Sequence, residues 1–167
     1  AHKERLVKML TRRDIPLVED DVYGDLAFDG TRPRPAKAFD TAGIVLLCGS
    51  ISKTLAPGYR VGWVVPGRYR DAIEKLKFAH TVSSPTPTQM AVAEFLSEGG
   101  YDKHVRRLRG VLAAQSARYC EAIAHHFPEG TRVSRPQGGF VVWVELREGV
   151  SSVELQLRAL DRGIAIA

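Results

Sequence analysis

The hydrophobic and polar positions of the chain alternate between helical spacing and short continuous apolar runs. Residues 3–13 read as a helix ended by "RDIP", and "IPLVEDDVY" as a short strand that runs into an acidic end. "FDGTRPRPAKAFDTAG" is rich in Gly, Pro and charge and reads as a loop. "GIVLLCGS" is an apolar run bounded by glycines, the pattern of a strand buried on both faces. "RVGWVVPG" gives another strand, after which Tyr69, Ala72, Ile73 and Leu76 keep helical spacing. "HTVSSPTPTQ" has two prolines among hydroxyls and no period, and reads as a hinge. A helix stopped by Gly99-Gly100 follows, then a long one from Tyr101 to His126 with Leu108, Leu112, Tyr119 and Ile123 on one side. "RVSRPQGGFVVWVEL" predicts a turn at Gly138-Gly139 and a strand. Ser151 and Glu154 form a capping-box pattern opening a helix that ends at Gly163, before the alternating "GIAIA".

This order is α/β over residues 1–79, a hinge at 80–88, and a mainly helical part with a small sheet over 89–167. The chain has 167 residues, of which 44% are apolar and 26% charged, as in an ordinary globular protein. Its longest apolar runs, Ile44 to Cys48 and Phe140 to Val144, are far too short to span a bilayer, and the N-terminal stretch has no apolar signal-like core. Cys48 and Cys120 stand far apart and outside any metal-like cluster, so a reduced, cytoplasmic protein is expected. A net charge of +5 permits an anionic partner without establishing nucleic-acid binding, and the basic run "KHVRRLR" is expected to be a solvated helix face. The missing initiator methionine, with an alternating segment at the C-terminus, suggests a piece of a longer protein.

Candidate chemistry concentrates in "GSISKTLAPGYRVGW". Lys53 directly follows a strand, flanked by the hydroxyls of Ser50 and Ser52 and by the guanidinium of Arg60. Hydroxyls and a guanidinium suit a phosphate, and a lysine beside a phosphate site is placed to attack a carbonyl on the same ligand and form a Schiff base. Ligands of open α/β sheets bind at the carboxyl ends of the strands. If the two strands are neighbours, Asp20 and Tyr23 share that edge with Lys53. An aldehyde, a phosphate and a protonatable ring nitrogen belong together in pyridoxal 5'-phosphate, whose ring needs a carboxylate to stay protonated.

"SISKTLAPGYRVGW" resembles the cofactor-lysine signature of the class I/II aminotransferases, the fold-type I pyridoxal phosphate enzymes. "VEDDVYGDL" resembles their aspartate–tyrosine strand and "RPQGGFVVWVEL" the start of their small domain. "EDDVYGDLAFDG", "RPRPAKAFD" and "CGSISKTLAPGYRVGW" are most similar to the aminotransferase-like domain of MocR-type regulators, GntR-family transcription factors with a winged-helix DNA-binding domain. The resemblance implies part of a fold-type I large domain, its sheet mostly parallel, followed by an α+β small domain. It implies that Lys53 holds the cofactor, that Asp20 pairs with the ring nitrogen (Asp21 being the alternative), and that Tyr23 bonds the phenolic oxygen. Ser50, Ser52 and Arg60 would hold the phosphate. An amino-acid or amine substrate or effector, a homodimer, and DNA contact only through a winged helix outside this chain are further implications. So is a division of the site, with some cofactor-binding segments preceding Ala1 and the arginine that clamps the substrate carboxylate following Ala167.

Other readings compete. Ser50-Ile-Ser-Lys53 also satisfies the Ser-x-x-Lys motif of penicillin-recognising enzymes, but the chain has neither Ser-Asp-Asn nor Lys-Thr-Gly. An effector sensor and a genuine transaminase require the same lysine chemistry, and a fragment that folds without binding the cofactor is a third possibility.

Overall fold

The computed structural model describes residues 2–166. Its elements follow the periodicity closely. They are α1 (His2–Arg12), β1 (Leu17–Asp20), β2 (Val45–Ser50), β3 (Gly62–Val65), α2 (Arg70–Thr81), α3 (Thr86–Ser97), α4 (Gly100–His126), β4 (Arg132–Val133), β5 (Val144–Glu145) and α5 (Ser152–Leu160). The segment "GIAIA" forms no strand over 164–166, and Ala167 lies outside the described residues.

Packing divides the chain into two compact units, Ala1–Ala113 with Gln137–Gly139, and Ala114–Pro136 with Phe140–Ala167. The division between these units falls inside α4, and in the segment 80–88 α2 runs to Thr81 and α3 starts at Thr86. Only four residues between these helices stay irregular, with Val82 at φ 54°.

In the first unit β1 pairs parallel with β2, and β2 antiparallel with β3. The register sets Leu17 beside Val45 and Asp20 beside Cys48, then Ser50 beside Gly62. Alternation of side chains therefore puts Leu17 and Val45 on one face, where they meet Val7, Leu10, Ala36, Phe39 and Ile44. Val7, Ile44 and Val45 are at most 2% exposed, and burying such a side chain contributes about 1.5–3 kcal/mol. Val18, pointing to the other face, is 67% exposed, and β2 beyond Val45 is only half-buried. β2 was expected to be buried on both faces; here only one face is well covered, by α1 and the segment that precedes β2.

That preceding segment is not a plain loop. It holds a short 3-10 helix, Ala36–Phe39, fixed by two carboxylates. Glu19 accepts the N–H groups of Ala36 (2.7 Å) and Lys37 (3.1 Å) and pairs with the Lys3 ammonium at 2.9 Å. Asp40, its side chain fully buried, accepts the N–H groups of Ala42 (3.2 Å), Ile44 (3.1 Å) and Val45 (2.9 Å). Lys37 reaches Asp40 at 2.9 Å and also donates to the Val45 carbonyl at 2.7 Å. Burial opposes the charge on Asp40, but the Val45 N–H, the Lys37 ammonium and the Ile44 N–H outweigh it and hold its carboxyl below the ordinary value.

The second unit contains β4 and β5, paired through Arg132–Glu145 and Val133–Val144. Ser134 extends this ladder, its N–H donating to the Trp143 carbonyl (2.8 Å) and its hydroxyl accepting from the Trp143 N–H (2.9 Å). Phe140 to Trp143, expected as strand, pair nowhere else in a ladder among the described residues. Ile123 is buried as its helical spacing predicts, whereas Tyr119, assigned to the same side, is 64% exposed. Ser151 caps α5 by accepting the Glu154 N–H at 3.3 Å.

Asp40→Ala strands three N–H groups and the Lys37 ammonium, and is expected to cost about 3–5 kcal/mol in urea unfolding. Because the folded carboxyl titrates below its ordinary value of 3.8, its contribution is complete above that pH and is lost as pH falls through the folded value. A wild-type acid transition that Asp40→Asn leaves unshifted would contradict this.

Candidate cofactor site

The sheet register brings one edge together. Asp20 ends β1, Ser50 ends β2, and antiparallel β3 begins at Gly62, two residues after Arg60. The Asp21 N–H donates to the Cys48 carbonyl at 2.9 Å, so the pairing continues to the tip of β1.

Beyond β2 the chain makes a turn closed by the Leu55 N–H on the Ile51 carbonyl at 2.8 Å. Ile51 and Thr54 anchor it inward, 1% and 2% exposed, which turns Ser52 and Lys53 toward the surface. Ser50 Oγ lies 2.8 Å from Ser52 Oγ and 2.9 Å from the Val61 carbonyl, and accepts the Ser52 N–H at 3.0 Å. The two hydroxyls are thus one hydrogen-bonded group. Arg60 has φ 53°, a left-handed conformation that a residue with a side chain adopts at a cost of order 1 kcal/mol. Its guanidinium is exposed and donates to the Pro57 carbonyl at 3.4 Å. From Gly49 to Trp63 the chain carries the cations Lys53 and Arg60 and no carboxylate. Donor hydroxyls, a guanidinium and an ammonium on one loop fit a phosphate ester bearing a carbonyl.

The neighbouring acids have different employment. Arg32 donates to both Asp21 and Asp25, and Asp25 also accepts from the Tyr101 phenol at 2.9 Å. Burial pushes the Asp21 carboxyl up, with the Arg32 charge acting against it. Asp20 is exposed at the strand tip, where one oxygen accepts the Val22 N–H at 3.3 Å. Of the two acids considered for the ring nitrogen, Asp21 is held in an ion pair and Asp20 stands at the edge of the sheet.

Tyr23 opens a 3-10 turn, Gly24–Leu26, and is 40% exposed. Gly138 and Gly139 run against this turn. The Gly139 N–H donates to the Leu26 carbonyl at 3.0 Å, and the Phe28 N–H to the Gln137 carbonyl at 2.9 Å. A Cβ on Gly138 would lie 2.7 Å from the Leu26 oxygen, while Gly139 holds φ 75°. These glycines permit a backbone-to-backbone approach behind Tyr23, rather than only a turn.

Two residues of the basic run are also engaged. His104 Nε2 donates to the Thr54 carbonyl at 2.8 Å, and Arg109 Nε to the Asp25 carbonyl at 2.6 Å. "KHVRRLR" is thus only partly a solvated face; Val105 within it is 2% exposed. The sequence signal was weak, because a charged helix run does not say which members turn inward.

Comparison with known proteins shows the family and the fold. The family model "Aminotransferase class I and II" matches residues 1–167. The chain belongs to that family. The HTH-type transcriptional regulator YjiR of Escherichia coli is 45% identical over 92% of this chain and 33% of its own length. The regulator YdcR of the same organism is 40% identical over 99% of this chain and 35% of its own length. Pyrococcus horikoshii kynurenine aminotransferase superposes with a TM-score of 0.90 at 30% identity, covering 99% of this chain and 41% of that enzyme. The fold is that of the aminotransferases, and the chain is closely related to the aminotransferase-like domains of MocR/GntR-type regulators. It spans about a third of the length of these curated relatives. Among the described residues no helix is long and apolar enough to cross a membrane.

Gly138→Ala is expected to destabilise the chain by about 1–3 kcal/mol in urea unfolding, since backbone must shift to admit the methyl. Gly58→Ala, in the lysine loop with open space around it, should stay within about 0.5 kcal/mol. Equal effects at both positions would refute the close approach behind Tyr23.

Proposed function

We propose that this chain carries the lysine-bearing part of a pyridoxal 5'-phosphate site, and that the whole protein uses it as the effector-sensing domain of a MocR/GntR-type transcriptional regulator. The strand register carries this reading, because it sets Asp20, the Ser50–Ser52 pair and the start of the Arg60–Gly62 segment at one sheet edge. The greater identity to HTH-type regulators, 45% for YjiR, favours a regulator over a metabolic transaminase. The likeness to kynurenine aminotransferase supports the second reading, a genuine amino-acid aminotransferase.

When bound, the cofactor supplies an aldehyde for covalent capture of amines and a ring that accepts electrons. The chain's own residues divide the remaining work. Ser50, Ser52 and Arg60 bind the phosphate as hydroxyl and guanidinium donors. Lys53 would supply the amine that holds the aldehyde, and the same amine would serve as the base for a proton at the substrate's α-carbon. Asp20 keeps a proton on the ring nitrogen, and Tyr23 donates to the phenolic oxygen. The hinge between large and small domains is placed at residues 80–88, and the working form is a homodimer. DNA contact belongs to a winged helix outside these residues, in a cytoplasmic protein. Turnover is assigned to the whole protein rather than to these 167 residues.

The test is visible absorbance with pyridoxal 5'-phosphate, borohydride reduction and peptide mapping, with Lys53→Ala as control. The expected result is one reduced adduct, on Lys53, absent from the control. Diffuse labelling of many lysines would defeat the cofactor reading. Release of an oxo acid from an amino donor at steady turnover would favour the transaminase over the sensor.

A further inference from the structure

The lysine loop and the aspartate–tyrosine segment belong to different strands, yet both are bonded to one helix. On the loop side, His104 of α4 donates from Nε2 to the Thr54 carbonyl at 2.8 Å, directly after Lys53. That bond sits beside the ring of Phe95, whose centroid is 6.2 Å from that of His104 in an edge-on arrangement. On the other side, Tyr101, one turn earlier in α4, donates its phenol to Asp25 at 2.9 Å, two residues after Tyr23. The Thr54 hydroxyl is buried beside this bond and has no hydrogen-bond partner of its own among the described residues. Asp25 is bridged through Arg32 to Asp21, beside Asp20. One helical turn therefore touches both halves of the site.

We infer that His104 and Tyr101 are positioning residues, which set the turn bearing Lys53 relative to the segment bearing Asp20 and Tyr23. This rests on the cofactor reading proposed above. Neither side chain is assigned contact with the ligand. Thr54 is 2% exposed, so water does not readily replace the imidazole on its carbonyl, and its amide plane follows the position of His104. The Lys53 carbonyl and the Thr54 N–H share one rigid peptide, which links Lys53 directly to that anchored residue. Burial first, and then the Asp25 carboxylate, push the Tyr101 phenol up, against the opposing Thr54 hydroxyl. The phenol thus keeps its proton and remains a donor at neutral pH.

The experiment uses the protein expressed from its complete reading frame, loaded with pyridoxal 5'-phosphate. Two readouts are followed: the pH midpoint of the cofactor's visible band, and the rate of borohydride-trapped labelling of Lys53. His104→Leu and Tyr101→Phe are each expected to slow labelling by about tenfold, the loss of one buried hydrogen bond, and to move the midpoint. His104→Gln, whose side-chain amide again offers an N–H, is expected to restore both toward wild type. Thermal unfolding of each variant separates this from a general loss of folding. The inference is overturned if folded His104→Leu and Tyr101→Phe keep the wild-type rate and midpoint while the wild type labels Lys53. It is overturned also if His104→Gln behaves as His104→Leu does. A wild type that never labels Lys53 overturns the cofactor reading itself, and the inference with it.

Discussion

The buried carboxylate of Asp40 is the interaction on which the candidate site depends most. A charge removed from water must be matched by donors, and Asp40 gathers three backbone N–H groups and the Lys37 ammonium. Two of those N–H groups, of Ile44 and Val45, sit where β2 begins. The carboxylate therefore fixes the point at which β2 enters the sheet. A slip of one residue at this start would turn every later side chain of the strand to the opposite face. Val45 would leave the core cluster, and Ser50 would change face at the sheet edge.

From that start the geometry propagates with little freedom. β2 ends at Ser50, whose hydroxyl is tied to Val61 and Ser52, and Ile51 and Thr54 hold the next turn inward. A lysine on such a turn pays less entropy on capture of a ligand than one on a loose loop. Arg60 points to the same economy. Its left-handed backbone is unfavourable locally, and such conformations persist where the surroundings impose them and tend to mark functional positions. Here the imposing neighbour is β3, which starts two residues later and pairs Gly62 with Ser50.

Much of this was legible in the residue pattern. The five helices and the strands β1 to β3 follow from periodicity, and the proposal for Ser50, Ser52, Lys53 and Arg60 rests on donor types packed into one segment. What the pattern hid was long-range. "RPRPAKAFD" reads as loop because its 3-10 helix is held by Glu19 and Asp40 rather than by propensity. Tyr119 fits its helical stripe by spacing, yet stays exposed, because spacing names a face without naming a partner. His104 and Arg109 looked solvated for the converse reason: their partners, Thr54 and Asp25, lie 50 and 84 residues away in sequence. The compact division inside α4 was equally invisible, since a continuous helix carries no break in its pattern.

The distribution of charge gives the site its last constraint. A loop built to receive a phosphate loses its donors if a carboxylate pairs with them first. The segment from Gly49 to Trp63 has no acid, and the acids of this edge lie on the neighbouring strand and its exit, with strands about 4.8 Å apart. Of these, Asp21 and Asp25 are occupied by Arg32, which leaves Asp20 as the acid presented at the tip of β1. Arg32 thus holds the carboxylates of Asp21 and Asp25, while Asp20 lies on the strand next to the loop rather than in it. On the proposed reading, anion-binding and proton-holding groups share this sheet edge and are kept apart by that separation. The requirement is the same whether a captured amine is turned over or merely sensed.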